Sequence, residues 1–265
     1  MRLAGDPDAR QAAVSNEAVG PLPEFLGIGV QKGGTTTLQQ LLEQHPAVFL
    51  PPRKELHFFT LHYAEGERWY RECFLGSAPQ QRCGEITPYY VFHPEAPARI
   101  HALLPQARLI VLLRDPVERT LSQYFHARRL GFEPLPLSQA LAAEAERLAG
   151  AEAVLQAPAG RHRSHQEHSY LARSRYEQQL QRYEDRFSRD QLLVLRSEDL
   201  FTRPADLWER ILRFLNLDPI ALPRMAVANA GKGEAGQVSP QLRGWLREQL
   251  APTYQVMQDT YGLCW

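Results

Sequence analysis

The sequence predicts an α/β protein with a doubly wound, mainly parallel sheet that is flanked by helices. Short apolar runs, typical of buried parallel strands, occupy positions 25–30, 108–113 and 191–195. Segments whose apolar residues have helical spacing lie between these runs. Strands that alternate with helices form βαβ units, which build a parallel sheet with helices on both faces.

The first predicted unit is a strand, a glycine-rich turn and a helix. The apolar strand at 25–30 is followed by Gln-Lys-Gly-Gly-Thr at 31–35, and glycines are typical of tight turns. Leucines at 38, 41 and 42 have the spacing of one helical face, which predicts a helix over 36–45. We expect a threonine to cap the start of this helix.

The second unit is a strand at 108–113 that runs directly into a helix. Asp115 is suited to cap this helix, and Pro116 to occupy its first position. The third strand, at 191–195, follows a helix predicted over 169–186. Four further helices are predicted from apolar spacing, at 94–104, 137–149, 204–215 and 240–250.

Residues 1–22 are expected to form a mobile tail or linker, and residues 23–265 a single domain. The tail has no periodicity and is suited to join the domain to a carrier protein or a further domain. No apolar run approaches the length of a membrane span, and the first residues lack the apolar core of a signal peptide. The three cysteines form no CxxC pair, which disfavours a disulfide framework. We therefore expect a soluble, cytoplasmic protein.

The charge balance argues against nucleic acid as a partner. Thirty basic residues match thirty acidic residues, so any anion must meet a local site rather than an overall field. Only three of the basic residues are lysines, namely Lys32, Lys54 and Lys232. Lysine and arginine are not equivalent where a compact charge is required, so these positions are candidates for a function.

The glycine-rich turn is predicted to bind a phosphate. Backbone amides at the start of a helix converge on an anion, and the helix dipole and Lys32 add positive charge. Lys32 precedes the glycines, whereas the Walker A loop of ATP-binding proteins has its lysine after the last glycine. The predicted phosphate-binding residues are Lys32, Gly33, Gly34, Thr35, Thr36 and Thr37.

A second anion-binding element follows the strand at 108–113. Arg114 lies at the carboxyl end of this strand, where open α/β sheets bind ligands, and a guanidinium matches a phosphate. Ser122 lies about two helical turns further along and offers a hydroxyl donor. Taken alone, Arg114 is better explained by an ion pair with Asp115 or Glu118.

A third element is the Lys-Glu-Leu-His-Phe-Phe segment at 54–59. Glu55, flanked by Lys54 and His57, has the chemistry of a general base in a partly desolvated site. Taken alone, the segment is better explained as a charged surface stretch that its two aromatic residues anchor.

Three histidines lie close together in a predicted loop at 156–168. No thiol or carboxylate has the spacing that would complete a metal site with them. The loop is therefore interpreted as solvated or substrate-facing; its histidines are His162, His165 and His168.

Together the three elements resemble the motifs of sulfotransferases that use 3′-phosphoadenosine 5′-phosphosulfate (PAPS). The resemblance is to the carbohydrate branch related to heparan sulfate sulfotransferases and to similar bacterial domains. The turn at 31–36 is similar to the family's 5′-phosphosulfate loop, 109–122 to its 3′-phosphate motif and 54–59 to the segment with its catalytic glutamate. The resemblance covers about 25–265. It implies a fold like that of P-loop nucleotide kinases, PAPS as co-substrate, adenosine 3′,5′-bisphosphate as product and no metal ion.

The resemblance also implies a role for each motif residue. Glu55 would take the proton from an acceptor hydroxyl or amine, and His57 would orient Glu55 or the acceptor. Lys32 would neutralise the leaving 5′-phosphate oxygen, while Arg114 and Ser122 would hold the 3′-phosphate. Further nucleotide contacts, at a later helix start and in a late loop, would be Tyr176, Lys232 and Gly233. The implied acceptor contacts are Lys54, Thr87 and Tyr89.

Two positions depart from the heparan sulfate enzymes. Ile86 stands where those enzymes have a lysine, in the segment 85–90 that resembles their acceptor cleft. Glu234 stands where they have an arginine. Both changes remove positive charge, so they disfavour a polyanionic acceptor. The predicted acceptor is a hydroxyl or amine of a small molecule, a carbohydrate, a polyketide or a lipid.

Two other classes of function remain open. A small-molecule kinase with the same sheet is disfavoured because Lys32 precedes the glycines and no acid for Mg²⁺ is evident. A non-catalytic nucleotide-binding module is disfavoured because Glu55 and Lys32 are both present.

Overall fold

A computed structural model describes residues 19–224 and 233–265, whose strands form one parallel sheet. The strands are β1 (Phe25–Gly29), β2 (Val48–Phe49), β3 (Arg82–Ile86), β4 (Arg108–Leu113) and β5 (Leu192–Arg196). Their order across the sheet is β2-β3-β1-β4-β5, and each neighbouring pair is parallel. The chain extends the sheet on one side of β1 and then on the other, as in doubly wound proteins. The predicted fold class is confirmed.

Helices connect and cover the strands in the described part of the chain. They are α1 (Thr35–Glu43), α2 (Gly66–Glu72), α3 (Ala96–Leu103), α4 (Pro116–Arg129), α5 (Leu137–Leu148), α6 (Ala151–Leu155), α7 (Arg163–Glu167), α8 (Tyr176–Glu184), α9 (Asp199–Thr202), α10 (Pro204–Phe214), α11 (Pro240–Gln249) and α12 (Ala251–Tyr261). Short 3-10 turns occur at Tyr63–Glu65, Ala172–Ser174, Arg189–Gln191 and Glu234–Gln237.

Strand β4 shows how the sheet is buried on both faces. Leu109 and Val111 belong to an apolar cluster that includes residues of α3, α8 and α12. Ile110 and Leu112 belong to a second cluster, formed with α1 and α10. Successive side chains of a strand point to opposite faces, so a continuous apolar run fills two cores.

Several predicted elements differ in detail from the structure. The N-cap of α1 is Gly34 in a left-handed conformation without a side-chain cap, not a threonine. The helix predicted over 169–186 is a 3-10 turn at Ala172–Ser174 followed by α8. Strand β3 was not predicted because its sequence, Arg-Cys-Gly-Glu-Ile, contains no apolar run. A Cβ at Gly84 would lie 2.2 Å from the Phe25 ring, so β3 needs a glycine where it packs against β1.

The residues just before β1 contact the domain. Arg71 Nη1 of α2 donates to the carbonyl oxygen of Gly20 at 3.3 Å. The tail boundary at residue 22 stays a prediction, because residues 1–18 lie outside the described part of the chain. None of the helices described has the length and apolar character needed to cross a membrane.

Candidate active site

The glycine-rich turn lies at the carboxyl end of β1 and leads into α1. Its backbone is held against β4, because Val30 N–H donates to the carbonyl oxygen of Leu112 at 3.0 Å. A Cβ at Gly33 would lie 2.4 Å from that same oxygen, so only glycine allows this close approach. Lys32 and Gly34 both have positive φ, of 73° and 87°. The turn therefore curls tightly before α1 begins.

A cavity of about 630 Å³ opens at this turn. Six segments that are separate in the sequence supply its walls: the turn with the start of α1, the segment of Glu55, Pro88 shortly after β3, Arg114 with one face of α4, the residues after β5, and the 3-10 turn near residue 234. The lining residues are Gln31, Lys32, Gly34, Thr35, Thr36, Thr37, Glu55, Pro88, Arg114, Glu118, Ser122, Phe125, His126, Arg129, Ser197, Glu198, Phe201, Gly233, Glu234 and Ala235. Most of the predicted phosphate-binding residues are thus brought together around one space.

Positive charges converge on Lys32. Burial lowers the pKa of Lys32, and the nearby charges of Arg129 and Arg114 lower it further. The pKa of His126 is lowered by burial and then by Lys32 and Arg129. Like charges at close range destabilise one another unless an anion lies between them. The cavity is therefore electrostatically suited to a phosphate or sulfate group.

Arg114 is held by contacts to its backbone and to the next residue. Tyr176 OH donates to the carbonyl oxygen of Arg114 at 2.8 Å. Asp115 N–H donates to Glu198 Oε1 at 3.0 Å, and the Asp115 carboxylate caps α4 by accepting from Glu118 N–H at 2.9 Å. Tyr176 is buried, and its hydroxyl holds the Arg114 backbone from inside the protein. Its role as a nucleotide contact stays a prediction.

Helix α4 contributes residues to the cavity that were not predicted from the sequence. Ser122 lines the cavity together with His126 and Arg129 further along the helix, and its contact with a 3′-phosphate stays a prediction. These positions repeat every three to four residues, which places them on one helical face. The helical spacing that continues from Ser122 was the sequence signal that could have identified His126 and Arg129. Glu198 and Phe201 were also missed, although they follow the carboxyl end of β5.

Glu55 lies at the cavity wall and pairs with His57. Glu55 Oε2 is 3.2 Å from His57 Nε2, and Glu55 remains about one-third exposed. The other ring nitrogen, His57 Nδ1, is 3.2 Å from Thr60 Oγ1. Lys54 Nζ donates to Thr36 Oγ1 of α1 at 3.3 Å, and burial lowers the pKa of Lys54. The structure thus places a carboxylate with an oriented imidazole beside the glycine-rich turn.

The predicted acceptor contacts Thr87 and Tyr89 are buried, with exposed fractions of 0% and 4%. Thr87 Oγ1 donates to Glu85 Oε2 at 2.7 Å and accepts from His57 N–H at 3.3 Å. Tyr89 OH is 2.8 Å from His165 Nδ1, and the Arg173 guanidinium lies 4.8 Å from the Tyr89 ring centroid. Both hydroxyls are engaged inside the protein, so the acceptor assignments remain predictions without support from these contacts.

The histidine-rich segment is not the solvated loop that was one of its two interpretations; the substrate-facing alternative stays a prediction. It contains α7, whose N-cap His162 accepts from His165 N–H through Nδ1 at 3.1 Å. His165 is buried, and its ring stacks on Phe92 with centroids 4.1 Å apart. His168 is also buried. Within the described residues, no three His, Cys, Asp or Glu side chains lie together as a group that could hold a metal ion.

The segment after residue 232 closes one side of the cavity. Glu234 Oε2 is 3.0 Å from Arg129 Nη1 of α4. Arg243 pairs with Glu118, and it donates to the carbonyl oxygen of Ala235 at 2.6 Å. Gly233 lines the cavity, whereas Lys232 lies outside the described residues.

Comparison with known proteins agrees with this geometry. The Sulfotransferase domain family matches residues 22–230. The chain is 43% identical over 106 residues to the membrane-associated sulfotransferase kil1 of Dictyostelium discoideum. The matched region covers 39% of this chain and 22% of that protein. It is 40% identical over 122 residues to human heparan sulfate glucosamine 3-O-sulfotransferase 3A1, which covers 46% of this chain and 30% of the relative.

The chain therefore matches less than a third of the length of these two relatives. A solved sulfotransferase from Alicyclobacillus acidocaldarius is similar over nearly its whole length, with a TM-score of 0.75 and 27% identity. That match covers 90% of this chain and 95% of the solved one. With its parallel sheet, glycine-rich turn and matching family profile, the chain belongs to the sulfotransferase domain family.

Proposed function

We propose that this protein transfers a sulfuryl group from PAPS to a hydroxyl or amine of a small or carbohydrate acceptor. The observation that carries the proposal is that Lys32, Arg114 and Glu55 line one cavity. Two of these residues are cations suited to phosphates, and the third is a carboxylate that pairs with an imidazole. The residues proposed for anion binding and the residue proposed for proton removal thus lie around the same cavity.

The donor site is proposed from the fit of the cavity walls to a nucleotide with two phosphorylated ends. The amides and hydroxyls at the start of α1 would bind the 5′-phosphosulfate, with Lys32 beside them. Arg114 and Ser122 would bind the 3′-phosphate, the group that distinguishes PAPS from ATP. When bound, the donor supplies the sulfuryl group and a phosphate leaving group.

Glu55 is proposed as the general base. It would accept the proton of the acceptor hydroxyl or amine while the acceptor oxygen or nitrogen forms its bond to sulfur. His57, 3.2 Å from the Glu55 carboxylate, would hold that carboxylate in place. Lys32 would stabilise the negative charge on the phosphate oxygen as its bond to sulfur breaks.

The acceptor is proposed to lack a high density of negative charge. One relative is named for heparan sulfate, a polyanionic glycan. In this chain Glu234 pairs with Arg129 at the cavity wall, and Ile86 contributes no charge. A polyanionic acceptor would therefore lie near an acidic side chain at a position where its binding requires a basic one. We favour a neutral sugar or a small-molecule hydroxyl.

The test compares nucleotide binding and sulfate transfer. Adenosine 3′,5′-bisphosphate should raise the melting temperature more than adenosine 5′-phosphate or Mg²⁺-ATP does. Arg114→Ala should weaken binding of the bisphosphate roughly tenfold to a hundredfold, since a hydrogen bond to a charged group contributes about 1.5–3 kcal/mol. Its affinity for adenosine 5′-phosphate should change little.

The matched control is Arg210→Ala, which removes an exposed arginine of α10 outside the cavity lining. Transfer of labelled sulfate from PAPS to an acceptor panel then completes the test. Preference for Mg²⁺-ATP would support a kinase instead. Binding of the bisphosphate without transfer to any acceptor would support a non-catalytic module.

A further inference from the structure

Glu85 of β3 is a buried carboxylate whose described hydrogen-bond partners are three hydroxyl groups. Its exposed fraction is 2%. It accepts from Tyr90 OH at 2.6 Å, Thr87 Oγ1 at 2.7 Å and Tyr70 OH at 2.8 Å. Burial raises the pKa of Glu85, and the hydroxyl donors oppose that rise by stabilising the charged form. Burying a carboxylate is costly, so its position calls for a physical explanation.

Two of these hydroxyls also accept a backbone amide from the segment that carries Glu55. Thr87 Oγ1 accepts from His57 N–H at 3.3 Å, and Tyr90 OH accepts from Phe59 N–H at 3.4 Å. A hydroxyl has a single proton to donate. Because each proton is directed to Glu85, the oxygen lone pairs are left to face the two amides. The carboxylate thereby sets the direction of both hydrogen bonds.

His57 has a backbone conformation that requires such support. Its φ is 55°, in the left-handed region that residues other than glycine seldom occupy. Its ring contacts Glu55 on one side and Thr60 on the other, both at 3.2 Å. A continuous series of contacts therefore runs from Glu85 through Thr87 and His57 to Glu55.

We infer that Glu85 is a positioning residue, which acts through Thr87 to hold His57 and the Glu55 carboxylate in place for proton removal. This inference rests on the proposed role of Glu55. It gives Thr87 a bridging role inside the protein instead of the contact with the acceptor that the sequence had implied. Glutamine at position 85 would carry an amide that donates hydrogen bonds, so it would compete with His57 and Phe59 for the hydroxyl oxygens.

The first experiment measures kcat and KM for three variants. Glu85→Gln and Thr87→Val should lower kcat about 10- to 100-fold, since a small displacement of a catalytic group has effects of this size. KM for PAPS and the affinity for adenosine 3′,5′-bisphosphate should stay within twofold of the wild type. Thr87→Ser keeps the hydroxyl and should restore most of kcat. Thr87→Val keeps the shape of threonine without the hydroxyl, and Thr87→Ser keeps the hydroxyl with one methyl group fewer, so the two variants test the inference even where Glu85→Gln does not fold.

The matched control is Glu133→Gln. Glu133 is another buried carboxylate that accepts from a tyrosine hydroxyl, that of Tyr170 at 2.7 Å, but its ion pair is with Arg147 and it does not line the cavity. This variant should lose stability and keep kcat. Equal kcat losses in Glu133→Gln and Glu85→Gln, or wild-type kcat in Thr87→Val, would overturn the inference.

A second readout does not depend on sulfate transfer. The ¹⁵N signals of the His57 ring should respond to Glu55→Gln in the wild-type background, because the two side chains are in contact. The response should disappear when Thr87→Val is also present, and it should persist with Thr87→Ser. An undiminished response with Thr87→Val would overturn the inference, whereas absence of transfer in the wild type would overturn only the proposed function.

Discussion

At the scale of single residues, the two described lysines of the site have different surroundings. Lys32 lies in the left-handed turn among Arg114 and Arg129, and its pKa is lowered by burial and by these charges. Lys54 Nζ donates to Thr36 Oγ1 at 3.3 Å. Burial lowers the pKa of Lys54, and the nearby charge of Glu55 opposes this by favouring the protonated form. The first lysine is suited to a developing oxyanion, and the second to orienting neighbouring groups.

This difference predicts that Lys32→Arg and Lys54→Arg behave unequally. Arginine carries a larger, planar charge that follows a single oxygen less well than an ammonium group does. Lys32→Arg should fold, bind adenosine 3′,5′-bisphosphate with modest loss, and transfer sulfate at a small fraction of the wild-type rate. Lys54→Arg is the matched control and should retain most activity. The measurement is the single-turnover rate of each variant at saturating PAPS. Equal rates would show that Lys32 acts only as a general electrostatic contact.

At the scale of elements, the cap at the start of α4 also fixes the backbone next to Arg114. Asp115 accepts from Glu118 N–H as the N-cap, and it accepts from Tyr254 OH of α12 at 2.9 Å. Its own N–H is bound to Glu198, whose Oε2 accepts from Trp265 Nε1 at 2.8 Å. Residues from the end of the chain therefore hold the backbone that presents Arg114.

Removing this cap should affect both stability and nucleotide binding. Loss of an N-cap typically costs about 0.5–2 kcal/mol. Asp115→Ala should lose this much unfolding free energy and also bind adenosine 3′,5′-bisphosphate severalfold more weakly. Ser239→Ala is the matched control, because Ser239 caps α11 by accepting from Leu242 N–H and does not line the cavity. Denaturation and calorimetry distinguish them, and equal nucleotide affinity in both variants would show that the Asp115 cap is merely structural.

At the scale of the whole molecule, buried histidines make stability depend on pH. Burial, with a smaller contribution from nearby arginines, lowers the pKa of His93 to about 3 and that of His165 to about 2. An unfolded histidine has a pKa near 6.5. Between these values the unfolded state binds more protons, so stability is complete above about pH 6.5 and is lost as the pH falls.

His93→Gln isolates one of these contributions. Between pH 7 and pH 5, the unfolding free energy of the wild type should fall by on the order of 1–2 kcal/mol more than that of the variant. All other titrating groups are common to the two proteins, so the difference reports His93. Urea denaturation at both pH values provides the measurement. Parallel losses in the two proteins would mean that His93 becomes protonated in the folded state.

Features that depend on neighbouring residues were predictable from the amino-acid sequence. The apolar runs of β1, β4 and β5, the Asp115-Pro116 helix start and the glycine-rich turn all occur close to where the pattern predicts them. The physical reason is that strand burial, capping and tight turns are decided within a few residues. The order of these motifs was also sufficient to predict the fold class.

The contacts between distant side chains became known only from the packing of the folded chain. Packing brings Arg129 and Glu234 together at the cavity, although they are 105 residues apart in the sequence. It also brings the Tyr176 hydroxyl to the carbonyl oxygen of Arg114. It also buried Thr87 and linked it to Glu85 and His57. These contacts arise where separate helices and strands pack, and no local pattern encodes the partner of a buried hydroxyl or carboxylate. The motifs were therefore predictable from sequence, whereas the contacts that hold them in place were not.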